Sequence, residues 1–340
     1  MKRTALLVAL LAVASLVSSS AGAAPGKRPV RVGYVTYVGG FDAYVVDAFV
    51  DAAADLGIEA RVVFPAPPGW SWRRPIVYLA RQRYDLIVIG CCPYPPELAT
   101  IVREFPSVNF LLPDWPVEIL GKRPPRNVTG TVHLGNEAGY LAGYLAGLME
   151  RRRAGKDVIG WVGGWKNPGV DRWAVGFEAG ARKADREVTI LKTYTNNFVN
   201  PRRCRTAALS QIAKGAGVVF NIAGACGLGA LAAAKERGVW GIGVDTDQSF
   251  LGPHILTSAV TRIPLGVRRA LESVERGTFK SGGNRAYGLR EDGVGLGKTS
   301  PKVPRAFLRQ LEEVRRQIAA GKIKVPGQSN SFWIPIQTPP

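Results

Sequence analysis

The sequence predicts an α/β protein made of two similar lobes, each with a parallel sheet covered by helices. Strand-like and helical segments alternate along nearly the whole chain, which is typical of βαβ layers. The alternation occurs in two successive sets, and the length of 340 residues normally divides into about two domains. Because a short tail of mixed segments follows the second set, we expect the chain to recross between the lobes and form a hinge.

The first set of elements predicts the first lobe. Its strand-like runs lie at residues 30–36, 59–64, 85–90, 108–112 and 128–134. Its helical stretches lie between them at 42–56, 73–83 and 95–104.

The second set repeats this plan and predicts the second lobe. Its strands lie at 157–162, 188–194, 218–223, 239–244 and 254–260, and its helices at 137–152, 170–184, 202–214 and 228–237. The remaining segments are a helix at 264–275, short β-like pieces at 286–289 and 293–296, and a charged amphipathic helix at 304–320. We therefore assign 28–133 and 262–285 to the first lobe, 134–261 and 286–326 to the second, and 327–340 to a tail.

The N-terminal residues have the pattern of a cleavable secretory signal. Lys2 and Arg3 precede an apolar run at 5–17, and small residues follow it. This order of charge, apolar core and small-residue exit is typical of an export signal. We expect cleavage after Ala23, and because this region contains no cysteine for lipid attachment, a soluble periplasmic protein.

The chain is strongly basic, with a formal charge of +19 that falls by two, to +17, if Lys2 and Arg3 leave with the signal. Such a charge can indicate binding to nucleic acid or to an anionic membrane. The arginines are dispersed, however, with short runs only at 151–153 and 202–203. This dispersion favours a solvated, arginine-rich surface and no nucleic-acid partner.

Four cysteines follow the signal, namely Cys91, Cys92, Cys204 and Cys226. Their spacings match no zinc pattern, and adjacent cysteines can hardly pair with each other without strain. Cys204 and Cys226 lie at the starts of consecutive predicted helices, so export makes a disulfide between them plausible. Buried free thiols are the alternative.

Enzyme functions lack their usual motifs in this sequence. The chain has only two histidines, His133 and His254, both inside strand-like runs that favour a core or strand-edge role. No nucleophile elbow, zinc-protease helix or phosphate-binding loop occurs. One enzyme reading stays open, because Gly224-Ala-Cys-Gly-Leu-Gly229 follows a strand and precedes Asp245 as in dinucleotide-binding units. Its glycine spacing differs from that motif, and we expect neither a cofactor nor a metal.

Candidate ligand contacts follow the strands of the second lobe. Gly224 and Asp245 come at the ends of predicted strands, at the edge where open α/β sheets bind ligands. An ionised carboxylate accepts hydrogen bonds and so suits the hydroxyls of a ribose or polyol. Asp245 and Asp247 could instead form an acid and base pair or hold a divalent ion, but no further carboxylates cluster with them.

Aromatic rings supply a second kind of candidate contact. Tyr37, Trp165 and Phe198 come at predicted strand ends or in the turns that follow. Flat rings at a sheet edge can enclose a flat ligand, each contributing about 1 to 3 kcal/mol through burial and stacking.

Several segments, taken in their order along the chain, are informative together. They are 32–42, Tyr84-Asp-Leu-Ile-Val-Ile-Gly90, Asn136-Glu-Ala-Gly-Tyr-Leu-Ala-Gly-Tyr-Leu-Ala-Gly147, Ile159-Gly-Trp-Val-Gly-Gly164, Gly176-Phe-Glu-Ala-Gly-Ala181, Gly241-Ile-Gly-Val-Asp-Thr-Asp-Gln248 and Leu256-Thr-Ser258. In this order they resemble the basic membrane protein family, which comprises substrate-binding proteins of ABC importers similar to a purine-nucleoside receptor. The resemblance implies a type I periplasmic binding protein fold, with two lobes joined by three crossovers. It also implies a purine nucleoside ligand and a permease partner.

The resemblance also implies roles for individual residues. Asp245 matches the family's ribose-binding carboxylate, Phe198 its base-stacking ring, Gly224 a glycine of the cleft and Asp114 an acid of the first lobe. The sequence departs from the family where Tyr37 follows Thr36, where Val46 replaces a phenylalanine, and where Thr261 replaces a lysine before Arg262. The full set of predicted ligand contacts is Tyr37, Asp42, Asp114, Trp165, Phe198, Gly224, Asp245 and Arg262.

We therefore expect a monomeric solute-binding protein that carries a purine nucleoside or similar ring-shaped compound to an ABC permease. A periplasmic sensor of the same fold would have the same sequence features. An exported enzyme with a dinucleotide-binding unit is the third reading.

Overall fold

The computed structural model describes residues 28–36, 43–65, 71–90, 97–155 and 157–327. Its strands alternate with helices as the sequence predicts. The strands are β1 Arg31–Val35, β2 Glu59–Val63, β3 Leu86–Ile89, β4 Asn109–Leu112, β5 Val128–His133, β6 Val158–Gly163, β7 Thr189–Tyr194, β8 Val218–Ile222, β9 Trp240–Asp245, β10 Ile255–Thr261, β11 Asn284–Tyr287 and β12 Val294–Leu296. The helices are α1 Ala43–Asp55, α2 Arg73–Arg81, α3 Leu98–Arg103, α4 Gly135–Glu150, α5 Pro168–Ala184, α6 Pro201–Ala213, α7 Gly227–Glu236, α8 Ile263–Glu275 and α9 Arg305–Ala319.

The strands of the described residues form two six-stranded sheets, one in each lobe. The first sheet has the order β11-β5-β4-β3-β1-β2, and the second has the order β12-β10-β9-β8-β6-β7. All pairings are parallel except that of β12 with β10. The chain crosses between lobes after β5, β10 and β11, which confirms the predicted two-lobed α/β architecture.

The third crossing lies slightly later than the predicted boundary between 285 and 286. Strand β11 pairs with β5 through Tyr287, which lies opposite His133. Ala286 and Tyr287 therefore lie in the first sheet, and the crossing follows Tyr287.

Apolar layers cover both faces of the first sheet. Helices α1 and α8 pack on one face around Phe49, Val267 and Leu271, and helices α2 and α3 pack on the other. Every residue of β3 is buried, as expected for a central strand covered on both sides.

Helices α4 and α5 pack through glycines, with main chain against main chain. A methyl group at Gly139 or Gly143 would overlap the α5 carbonyls of Trp173 or Phe177. A methyl group at Gly176 or at Gly180 would likewise overlap an α4 carbonyl. These glycines, spaced at four residues along each helix, form what we call the α4–α5 glycine seam.

A disulfide joins Cys204 in α6 to Cys226 in the turn before α7, as predicted. The two Cα atoms lie 5.5 Å apart, within the ordinary range for a disulfide. The Thr195 hydroxyl lies 3.6 and 3.7 Å from the two sulfur atoms. Cys91 and Cys92 lie outside the described residues.

Within the described ranges, no helix combines the length and the apolar character needed to cross a membrane. The predicted signal at residues 1–23 lies outside these ranges, as do residues 328–340 of the predicted tail.

Candidate ligand-binding site

Four of the predicted ligand contacts lie at one edge of the second sheet. Trp165 follows β6, Phe198 follows β7, Gly224 follows β8, and Asp245 is the last residue of β9. These strands are parallel and adjacent, so their carboxyl ends meet at the same edge. The predicted grouping of aromatic, glycine and carboxylate at a sheet edge is therefore present in the fold.

Asp245 lies at the centre of a tight, strained turn. Its φ is 66°, and the Thr246 N–H donates to the Val244 carbonyl at 2.8 Å across it. This three-residue turn with positive φ is rare, because a side chain at its centre is sterically disfavoured. The Thr261 hydroxyl donates to the Asp245 carbonyl at 3.5 Å and holds the turn against β10.

The Asp245 carboxyl group has no hydrogen bond or ion pair with any side chain or main-chain group in the described part of the chain. Burial and the negative charge of Asp114 raise its pKa to about 6, against the opposing effect of the Arg172 charge. An acid held in a strained turn, partly buried and without a protein partner, is typical of a group that meets a ligand.

Phe198 lies flat against the backbone of the second lobe. Its ring covers Gly164, where a methyl group would overlap the ring carbons. Its carbonyl accepts from the Cys226 N–H at 2.9 Å, beside Gly224, whose φ of 53° favours glycine. The residue is 37% exposed, so part of its surface is available to a ligand.

Trp165 directly follows Gly164 and is 42% exposed. Its carbonyl accepts from the Asn167 side-chain amide at 3.0 Å, which fixes the main chain at the start of α5. An exposed tryptophan contributes little to the core, so this ring is also free to contact a ligand.

Asp114, in the first lobe, follows β4 and has a φ of 56°. Its N–H donates to the Thr131 hydroxyl at 3.0 Å. One carboxylate oxygen accepts from the His133 N–H at 3.1 Å and lies 3.0 Å from the His133 Nδ1 atom. The other accepts from the Arg172 guanidinium at 3.0 Å.

Arg172 belongs to the second lobe, so its ion pair with Asp114 joins the two lobes. It lies in the first half of α5, which begins where Asn167 caps the Val170 N–H at 3.1 Å and Pro168 opens the helix. Its guanidinium also donates to the His133 carbonyl at 3.2 Å. The side chains of Arg172 and Asp114 are only 16% and 15% exposed.

The two acids of the cleft have opposite pKa shifts. Burial raises the pKa of Asp114, but the Arg172 charge and the hydrogen bonds from His133 outweigh burial and lower it overall. Asp114 is therefore ionised at neutral pH and already paired. The Asp245 carboxyl group, by contrast, has no partner among the described residues.

Sequence reasoning missed Arg172, because an arginine on a helix of an arginine-rich chain carries no distinguishing pattern. His133 fits the predicted strand-edge role, since it ends β5 and is fully buried. Its contact with Asp114 was not foreseen. The Arg172 contact depends on how the two lobes meet, and the His133 contact depends on the pairing of β4 with β5 in the first sheet.

Other predicted contacts have different surroundings. The Arg262 guanidinium donates to the carbonyls of Asp292 and Val294 at 3.1 Å and pairs with the Asp292 carboxylate at 3.0 Å. Asp247 accepts from the N–H groups of Ser249 and Lys298, so its carboxylate holds a turn. Tyr37 and Asp42 lie outside the described residues.

The glycines after β8 have a packing explanation. A methyl group at Gly229 would overlap the Pro201 carbonyl of α6, and one at Gly227 would overlap the Asn221 amide. Close approach of α7 to α6 and to β8 therefore accounts for the glycines that resembled a dinucleotide-binding motif.

Known proteins resemble this chain in both sequence and fold. It is 30% identical over 263 residues to a CD4+ T-cell-stimulating antigen of Listeria monocytogenes, covering 72% of this chain and 71% of the relative. It is 27% identical over 246 residues to the ABC transporter nucleoside-binding protein BmpA of Lactococcus lactis, covering 66% of each. The crystal structure of an ABC transporter solute-binding protein from Aeropyrum pernix K1 superposes with a TM-score of 0.71 at 24% identity, covering 89% of this chain and 95% of that one.

This structural likeness confirms the predicted type I periplasmic binding protein fold. Residues 71–329 match the family described as Bmp, ABC transporter substrate-binding protein PnrA-like. That match spans most of the chain and includes every element from α2 to α9. The chain therefore belongs to the Bmp family of ABC transporter substrate-binding proteins.

Proposed function

We propose that this protein binds a purine nucleoside between its lobes and delivers it to the permease of an ABC importer. The observation that carries the proposal is the Asp245 carboxyl group, which ends a strand at the cleft and has no partner in the described residues. The family consists of ABC transporter substrate-binding proteins, which supports a binding role for this site.

The hydroxyls of a ribose suit Asp245. An ionised carboxylate has only acceptors and can take a hydrogen bond from each of two neighbouring hydroxyls. Those bonds favour the ionised form, which burial and the charge of Asp114 disfavour in this site. Ligand hydroxyls would therefore satisfy the group that the protein leaves unpaired.

A purine base suits the rings and polar groups around Asp245. Phe198 and Trp165 offer partly exposed aromatic faces at the same sheet edge, and Tyr37 is a further candidate from the sequence. Asp114 and Arg172 lie near enough to shift the pKa of Asp245, and the Arg172 Nε–H, which is buried without a partner, is a donor for a polar base atom. The nucleoside-binding relative from Lactococcus lactis supports the same ligand class.

The test is calorimetric titration with purine nucleosides, free purines and pentoses. Asp245→Ala should weaken nucleoside binding at least tenfold, because a charged hydrogen bond contributes about 1.5 to 3 kcal/mol. Phe198→Ala should weaken it by a similar factor through lost stacking. Leu308→Ala is the control, since Leu308 is 38% exposed on α9 and away from the sheet edge.

Two results would contradict the ligand proposal. One is unchanged affinity for the best ligand in both cleft variants. The other is loss of binding that is matched by loss of folding, measured as a fall in melting temperature that Leu308→Ala does not show.

Export and delivery need separate tests. Periplasmic material should have the intact mass of a chain that begins at Ala24, without a lipid adduct. The nucleoside-loaded protein should stimulate transport by its permease in proteoliposomes. Binding to a membrane receptor without transport would favour the sensor alternative.

A further inference from the structure

The first lobe contains a cavity on the α8 side of its sheet. It has a volume of about 290 Å³ and lies between α8, β5, β11 and the segment that joins α8 to β11. Leu111 and Phe279 contribute apolar surface to its wall. Small-molecule sites typically begin near ~300 Å³, so the cavity can hold a small metabolite.

Three cationic side chains line this cavity: Arg269 of α8, Lys280 of the joining segment and Arg285 of β11. None of the three forms an ion pair with any described residue. Arg269 donates to the Glu291 carbonyl at 3.1 Å, and Arg285 donates to the Lys280 carbonyl at 3.1 Å. Because a guanidinium has five N–H donors, most of its donors remain available.

Uncharged hydrogen-bonding groups line the cavity beside the three cations. Thr129 and Thr131 line the cavity, and each hydroxyl oxygen accepts a main-chain N–H at 3.0 Å, from Gly282 and Asp114 respectively. Each hydroxyl also carries one hydrogen that can donate to a further acceptor. Tyr287 forms part of the wall, and the Arg269 guanidinium lies 5.6 Å from its ring centroid.

The carboxylates near the cavity have partners of their own. Glu291 accepts from the Gly288 N–H at 2.9 Å. Glu272 on α8 pairs with Arg268 and Arg276. The cavity wall thus gathers three positive charges from three elements with no carboxylate among its lining residues.

Two consecutive glycines bring the joining segment back over the cavity. Gly282 and Gly283 have φ values of 96° and 67°, a conformation that glycine adopts without steric cost. The Gly282 N–H bonds to Thr129, so the turn is fixed to β5 before the chain enters β11. Lys280 and Arg285 are held near each other by this turn.

We propose that this cavity is a second binding site, specific for a small soluble phosphate monoester. Arginine forks match phosphate oxygens in geometry, and a cluster of three cations favours a dianion over a monoanion. This site is independent of the nucleoside proposed for the cleft.

The experiment is calorimetric titration with glycerol 3-phosphate, with inorganic phosphate and glycerol as comparison probes. Arg269→Gln and Arg285→Gln should each weaken glycerol 3-phosphate binding at least tenfold. Arg276→Gln removes the same charge from α8 outside the cavity, where Arg276 is 62% exposed, and should change affinity by less than twofold. Glycerol should not bind.

Lys280→Gln removes a cavity charge with little risk of misfolding, because the Lys280 amine makes no hydrogen bond within the described chain. It should also weaken binding while leaving the melting temperature unchanged. Saturation of the protein with its cleft ligand, or the change Asp245→Asn, should leave the phosphate affinity within twofold.

Four results would overturn this proposal. They are no binding of glycerol 3-phosphate at millimolar concentration, equal weakening by Arg276→Gln, competition with the cleft ligand, and binding to phosphatidic acid vesicles without binding to the soluble probe. Absence of binding excludes the site, and equal weakening by Arg276→Gln indicates general attraction to a basic chain. Binding to the vesicles alone indicates a membrane surface.

Discussion

Nucleoside affinity should depend on pH through Asp245. Its carboxyl group has a pKa of about 6 in the ligand-free cleft, with burial as the largest cause. Ligand hydroxyls need the ionised form as an acceptor, so binding lowers this pKa and releases a proton below pH 6. The sign is therefore fixed: affinity falls as the pH falls.

The magnitude follows from linkage between protonation and binding. If hydroxyl donors return the bound carboxyl to an ordinary pKa of about 4, the dissociation constant rises about tenfold between pH 8 and pH 5. Between pH 7 and pH 8 the change is only about 10%, because Asp245 is already ionised there.

The assay is calorimetric titration at several pH values in buffers of different ionisation enthalpy, which also counts the protons released. Asp245→Asn is the matched variant, since it keeps the shape of the side chain and removes its titration. It should bind weakly and without this pH dependence. A wild-type affinity that is flat from pH 8 to pH 5 would show that binding does not require the ionised Asp245 carboxylate. The same slope in the Asn variant would show that a group other than Asp245 titrates on binding.

Three further changes test the ion pair, the disulfide and the helix packing around the site. Arg172→Gln should lower the free energy of unfolding by about 2 kcal/mol in urea titrations at pH 7, because the partly buried Asp114 loses its partner. Since pairing lowers the pKa of Asp114, the difference between variant and wild type should shrink below pH 4. A difference that persists below pH 4 would contradict the assigned ion pair. Reduction and alkylation of Cys204 and Cys226 should lower the free energy of unfolding by about 3 kcal/mol, the expectation for a separation of 22 residues. If both thiols react in denaturant without prior reduction, the disulfide is absent. Gly143→Ala should destabilise the protein by about 1 to 3 kcal/mol through overlap with α5, whereas an uncrowded helix would gain about 0.5 to 1 kcal/mol, so a raised melting temperature would disprove the close packing.

Most of the fold could be predicted from local patterns. The alternation of apolar strand runs with helices located every strand of both sheets to within two residues, because parallel sheets need buried strands separated by covering helices. The position of Asp245 at a sheet edge followed from the same logic, since a polar residue directly after a buried strand must lie at its carboxyl end.

Features formed between distant elements could not be predicted in this way. Arg172 and Asp114 belong to different lobes, and no spacing along the chain indicates that they meet. The cations of the cavity likewise come from α8, a turn and an edge strand, so in the sequence they look like three dispersed surface residues. The strained turn at Asp245 depends on main-chain angles, which the residue types alone do not specify.

The α4–α5 glycine seam has a mechanical consequence for the ion pair between the lobes. Helix α4 starts two residues after β5 ends, and with no side-chain layer to repack, α5 has to move with it as one body. A rotation of the second lobe at Leu134 therefore moves α4 and α5 together. Arg172 moves with them because it lies on a helix and not on a flexible loop. The distance between Arg172 and Asp114 therefore depends on the angle between the lobes. A pair of spectroscopic labels on α5 and β4 would follow closure as a change in the distance between those labels.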